Sequence, residues 1–337
     1  MTLITRNLAD QQSPGHHKKK GSIMNKINLS KLLRQLILPF FILLVGFIAA
    51  VIEPRFVSSS NLRNLIVQLM PLLVIAVGQS FAIISGGLDL SLGAILSLAG
   101  VVGALVMQQM GIPAGVLAML LTGAGIGLLN GLIISYLRTS PLVVTLGMLS
   151  VAQAIALILV SGTPIYNINP NFIEFVGYTR FLGLSVLVWI CLITAGAGAF
   201  ILRRTIFGRY IYAIGSNAAA AHKSGINVRF FNMLVYVFGG LCAGIGAIVV
   251  TAWTSSAQPI AAPEITLQSL AAVVLGGVAL TGGRGGMFEV ICGVIMLGML
   301  GNVMNMIGVS SYFQMLAIGV VIIVAVILDR FRRMESF

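Results

Sequence analysis

The residues of this chain able to do polar chemistry are few and widely spaced. The segment Ser85-Gly86-Gly87-Leu88-Asp89-Leu90-Ser91 brings a carboxylate and two hydroxyls together. Its paired glycines let the backbone reverse tightly. Asp89 or Ser91 can then cap the helix that follows, where an anion also meets the positive end of the helix dipole. The structural reading is a capped hairpin at a membrane edge; direct contact of Asp89 with a solute is the alternative. Uncharged amides interrupt apolar sequence at Gln68, Gln79, Asn130, Gln153, Asn302 and Asn305. An amide both donates and accepts, which suits a hydroxyl-rich, uncharged solute, and equally suits joining two helices.

Other chemistries are missing. No Ser-His-Asp or HExxH pattern occurs, so no catalytic role is expected. Gly282-Gly283-Arg284-Gly285-Gly286 has the glycines of a phosphate loop but lacks the Lys-Ser/Thr that would follow. It reads as a second turn of the Gly86-Gly87 kind. Cys191, Cys242 and Cys292 are odd in number, form no CxxC and sit in apolar stretches, where thiols behave as small fillers. His16 and His17 belong to a charge run with Lys18 to Lys20. No metal is expected.

The elements that position these groups are membrane helices. Of 337 residues 58% are apolar and 8% charged, whereas a soluble domain carries about a quarter of its residues charged. Mean hydropathy is +1.05. About 20 apolar residues span the hydrocarbon as a helix, and ten stretches qualify or nearly so. These are Leu36 to Ile52, Leu65 to Ile84, Leu90 to Met110, Pro113 to Leu137, Pro141 to Val160, Phe181 to Leu202, Phe230 to Ala252, Ile265 to Thr281, Val290 to Ile307 and Tyr312 to Leu328. Not one contains Asp, Glu, Lys or Arg. The first reads as an uncleaved anchor rather than a signal peptide.

With ten spans both termini share a side. Basic residues concentrate on that side, leaving only Arg55, Arg63 and Arg180 on the other, so both termini are expected in the cytoplasm. The net charge of +12 is then explained by topology and anionic lipid, without nucleic acid. The expected organisation is a basic tail over 1–35, a transmembrane domain over 36–329 and a short tail over 330–337. Met24 offers a second start. Gly123, Gly127 and Gly131 lie four residues apart, as do Gly240 and Gly244, an interval that lets helix backbones approach closely.

The spans hold no ionisable group, which argues against a proton- or sodium-driven carrier. A passive channel, or a carrier fuelled by a partner, remains. The longest cytoplasmic connection, 203–229, has an alanine-rich centre. Asn217 is a fitting N-cap and Gly225 a fitting stop, giving a two-turn surface helix between them that needs something to pack against.

At these residues the chain resembles a ribose-type permease, the membrane subunit of bacterial ABC importers for monosaccharides, over roughly Leu36 to Asp329. The resemblance is carried by Ser85 to Gly93, by Gly208-Arg209-Tyr210-Ile211-Tyr212-Ala213-Ile214-Gly215, by Ser224-Gly225-Ile226, and by Leu275-Gly276-Gly277 through Thr281-Gly282-Gly283-Arg284-Gly285. Asn130-Gly131 and Thr145-Leu146-Gly147 are lesser matches. It implies an inner-membrane location and two permease copies, identical or paralogous. It also implies ABC ATPase subunits that use ATP and Mg, and a periplasmic sugar-binding protein.

The helix after Asn217 would then be the coupling helix, with Arg209, Asn217, Ala219, Ala220, Ala221 and Gly225 facing the ATPase. Gln79, Asp89, Ser91, Asn130, Thr145 and Asn302 are the expected solute path. Gly86, Gly87, Gly127, Gly131, Gly282 and Gly283 are the expected hairpin and packing positions. Two departures stand out: relatives usually carry Glu where Ala219 stands, and often glycine where Glu289 stands. A nucleoside or furanose-like cargo, or a passive facilitator, are the alternatives.

Overall fold

A computed structural model describes residues 38–334. The expected tail over 1–35, with His16, His17, Lys18 to Lys20 and Met24, lies outside them, as do 335–337. The chain divides into compact units at Phe41/Ile42. The described part of the first is the opening turn of α1 (Leu38–Ile52), and all other elements belong to the second.

The long helices of the second unit are α2 (Ser59–Ile84), α3 (Leu92–Met110), α4 (Ile112–Tyr136), α5 (Pro141–Leu159), α7 (Val186–Arg204), α10 (Val228–Thr254), α12 (Met287–Met306) and α13 (Ser311–Met334). Shorter pieces are α6 (Pro170–Ile173), α8 (Ile206–Ser216), α9 (Ala218–Lys223) and α11 (Ile265–Leu275). A two-residue hairpin, Arg180–Phe181 with Leu184–Ser185, turns through Leu182 and Gly183, both at positive φ. A helix stands at each of the ten expected places. Among the described residues, seven are long and apolar enough to cross a membrane: α2, α3, α4, α5, α7, α10 and α12.

Helix α2 is the central post. From Leu69 to Ser85 every residue is buried, against α10, α12, α11 and α7. Helices α4 and α5 are instead mostly unburied although predominantly apolar. Leu117, Leu121, Val143, Ile155 and Ile158 face outward. Such a surface belongs in lipid or against another apolar surface, not in water. The two glycine series meet each other. A methyl group on Gly123 would overlap the Gly240 carbonyl oxygen, one on Gly127 that of Tyr236, and one on Gly244 would come within 2.7 Å of the Met119 carbonyl oxygen. Helices α4 and α10 therefore lie backbone to backbone.

The expected span Ile265 to Thr281 is corrected. Its helix, α11, stops at Leu275 because Gly276 and Gly277 close it, with Gly277 at φ 103°. The Gly277 N–H donates to Val274 and the Val278 N–H to Val273, the paired bonds of a glycine-terminated helix. Eleven residues rise only about 17 Å. The remaining depth is covered by irregular chain on either side. Ala257 exchanges both backbone bonds with Ile165 on one face of the bundle, while Gly283 bonds the last residue of α2 on the other. Irregular backbone is tolerated at such depth because protein surrounds it. At the other end of the chain, α13 runs past the expected Leu328 boundary to Met334.

Candidate functional site

The C-terminus of α2 shows why three separated glycine segments belong together. A helix ends with four carbonyls lacking intrahelical partners. Here Ser85 N–H donates to Phe81, Gly87 N–H to Ala82 and Gly86 N–H to Ile83, a closure that needs Gly86 at φ 87°. The fourth carbonyl, on Ile84, accepts the Gly283 N–H at 2.8 Å. Gly215, at the end of α8, fills the same corner. A methyl group on it would overlap the Ile84 carbonyl oxygen and approach the Gly283 nitrogen to 2.6 Å. One on Gly282 would come within 2.9 Å of the Gly86 nitrogen. Tyr212, a turn earlier on α8, donates its hydroxyl to the Gly285 carbonyl at 2.6 Å. Burial, and the Glu289 carboxylate nearby, push this phenol up, against an opposing pull from Arg203.

Beyond Gly87 the chain runs back alongside α2 without regular structure. Asp89 Oδ2 lies beside Gly239, and Gly239 abuts Gly78, so Asp89 sits about 9 Å along α2 from Ile84. Asp89 Oδ1 accepts the Ser91 N–H at 2.9 Å and the Ser91 hydroxyl at 2.5 Å. Asn130 on α4 donates to the Ser91 hydroxyl oxygen at 2.9 Å. Three of the expected path residues thus form one buried chain. Its free ends are Asp89 Oδ2 and Asn130 Oδ1, both buried without a partner. The expected cap is corrected in part: Ser91 stands at the N-cap of α3, but neither its side chain nor that of Asp89 accepts an N–H of the first turn. The Gly93 N–H instead donates to Thr266 Oγ1 at 2.8 Å, so the N-termini of α3 and α11 meet.

The other path candidates are elsewhere. Gln79 is fully buried in α2, and both polar atoms of its amide lack partners. Thr145 on α5 donates to its own helix at Pro141. Asn302 exchanges two bonds with Asn61, at 2.9 and 3.2 Å, near the opposite end of α2. It joins α12 to α2 and does not meet the Asp89 chain.

The connection 203–229 contains the expected two-turn helix. Asn217 Oδ1 accepts the Ala220 N–H at 2.9 Å, and Gly225, at φ 84°, closes the other end of α9. Ala219 and Ala220 are exposed, whereas Ala221 is buried. Arg209 is exposed on α8. Helix α8 itself was missed, although Thr205 as its cap and the spacing of Phe207, Ile211 and Ile214 announce it.

Known proteins share this pattern. Residues 61–326 match the family profile described as the permease component of a branched-chain amino acid transport system. The chain belongs to this permease family. It is 37% identical to the ribose import permease protein of Escherichia coli K12 over 286 residues, 84% of this chain and 89% of that one. It is 33% identical to the D-allose transport system permease protein of the same strain over 296 residues, 86% and 90% of the two chains. To the L-arabinose ABC transporter permease protein of Azospirillum brasilense it is 30% identical over 321 residues, 94% and 91% of the two. No solved structure matches.

In this permease, a cavity of about 360 Å³ opens at the face away from α8 and α9, lined by Arg63, Gln68, Tyr178, Arg180 and Trp253 among others. Aromatic rings beside amide and guanidinium donors suit a small polyhydroxylated molecule. Tyr178 and Trp253 escaped sequence reasoning because nothing local ties them to Gln68. The structure also accounts for Glu289. It sits in the first turn of α12, where a carboxylate meets the positive helix end.

Proposed function

We propose that the permease is the membrane-spanning subunit of an ATP-driven importer for a monosaccharide in a bacterial inner membrane, with both termini in the cytoplasm. ATPase subunits and a periplasmic sugar-binding protein are its partners, and a second permease copy completes the path. The observation that carries this reading is the corner where α8, the end of α2 and the turn into α12 share backbone contacts. A push on α9 reaches α8 across the single intervening residue Asn217. From there it reaches the Gly86 turn and the segment holding Asp89. A ligand or motor shifts such an equilibrium only through contacts that differ between its two states. The unpartnered atoms of Asp89, Asn130 and Gln79 supply such contacts if one state offers them a hydroxylated solute.

The names of the relatives favour a monosaccharide over a nucleoside or an amino acid. The permease binds neither ATP nor Mg in this reading; both belong to the ATPase.

Reconstitution tests it. Proteoliposomes holding the permease, its ATPase and its binding protein should accumulate ribose, allose or arabinose only with ATP inside the reaction. Accumulation unchanged without the permease would end the proposal, and uphill accumulation by the permease alone would replace it with a self-sufficient carrier.

A further inference from the structure

A cavity of about 810 Å³ opens where the end of α4, helix α9 and the start of α10 meet. Arg138, His222 and Arg229 reach its lining, and among the described residues no carboxylate does. The hydroxyl of Ser135 and the side-chain oxygen of Asn232, also in the lining, are buried without partners. The N-terminus of α10 adds partial positive charge. The guanidinium groups attract an anion, and the Asn232 oxygen lacks a hydrogen-bond donor. A phosphodiester bearing a hydroxylated headgroup provides both.

The rim identifies the source of that group. Tyr136, Leu137 and Phe230 are exposed beside the basic residues. On α4 the exposed apolar strip continues through Leu132, Leu128 and Leu121, residues spaced to share one helix face. A free anion would leave this strip bare, whereas acyl chains cover it. Basic pockets between helices at the cytoplasmic side are where anionic headgroups settle. We propose that the cavity binds an anionic, hydroxyl-bearing phospholipid of the inner leaflet, of the phosphatidylglycerol type, with its chains lying along α4. This goes beyond the importer reading and does not depend on what solute is carried.

The full-length permease, reconstituted in phosphatidylcholine containing phosphatidylglycerol, tests it by native mass spectrometry of retained lipid. The Arg138→Gln/Arg229→Gln variant should hold phosphatidylglycerol roughly thirtyfold more weakly, as expected for losing two basic contacts. Lys223→Gln, on α9 but outside the lining, should hold it unchanged. In the unaltered protein, phosphatidylglycerol with a photoreactive headgroup should label the segments 134–138, 218–222 or 225–232. Labelling elsewhere would refute the site even if the double variant failed to fold. Displacement of the lipid by inorganic phosphate would reassign the cavity to a free anion. Displacement by the assembled ATPase would reassign it to that partner's acidic side chains. Either result overturns the lipid assignment.

Discussion

The Ile84 carbonyl oxygen accepts the backbone N–H of Gly283 at 2.8 Å, joining the last turn of the central helix to a loop nearly two hundred positions later. Gly215 closes over this bond with no room for a side chain. Gly215→Val should therefore cost about 1 to 3 kcal/mol by overpacking. It should also lower ATP-driven uptake more than it lowers the melting temperature. Uptake at the unaltered level would mean that α8 does not transmit motion through this corner.

Asn217 is the cap of α9 and the single residue between it and α8 in the chain. Asn217→Ala should cost about 1 kcal/mol of local helix stability. Co-purification with the ATPase should fall accordingly. Asn217→Ser keeps an accepting oxygen and should restore most of it. Ala220 is exposed, so Ala220→Trp should leave the melting temperature alone while abolishing uptake and leaving sugar binding by the periplasmic partner intact.

Ser91 stands between Asp89 and Asn130, so Ser91→Ala leaves the Asn130 amide without its acceptor and Asp89 with only the backbone N–H of position 91. The expected loss is about 1 to 3 kcal/mol. In a double-mutant cycle with Asn130→Leu, the two changes should fall short of additivity, because each removes the same bond. Full additivity would show that the chain does not form.

Asn302 and Asn61 bond each other, so removing Asn302 leaves the Asn61 side-chain oxygen without a donor, while the Asn61 nitrogen keeps the Phe56 carbonyl. Asn302→Leu should destabilise by about 1 to 3 kcal/mol, and the Asn61→Leu/Asn302→Leu pair should recover only part of that, because Asn61→Leu also removes the bond to the Phe56 carbonyl. Uptake should follow stability in this series. An intact, fully stable Asn302→Leu protein without uptake would return Asn302 to the solute path.

At the surface, Arg55 bonds Glu53 and holds its carboxyl at about 2, against an ordinary value of 4.5. The bound form is the carboxylate. Its contribution is therefore complete above about pH 4.5 and lost as pH falls toward about 2. Acid titration followed by circular dichroism should show a steeper loss over this window than in Glu53→Gln.

Much of the scaffold was legible in the sequence. Charge-free stretches mark helices because a bare backbone or an ion at membrane depth is costly, and that requirement acts on each stretch by itself. Asn217 and Gly225 bound α9 for equally local reasons. The short end of α11 was legible in principle, since Gly276 and Gly277 stand inside the apolar run that looked like a full span. Hydropathy outweighed them because averaging over a window hides a two-residue stop.

Partnership was decided only in three dimensions. The polar residues looked alike in sequence, yet Asn130 joined Asp89 and Ser91, Asn302 joined Asn61, and Thr145 turned back on its own helix. The cap of α3 came from Thr266, 173 positions away from the glycine it serves. Which amide meets which depends on helix rotation and depth, and these follow from how all the apolar faces pack at once. Local pattern in this chain fixes what each segment is, and only the packed bundle fixes what each side chain touches.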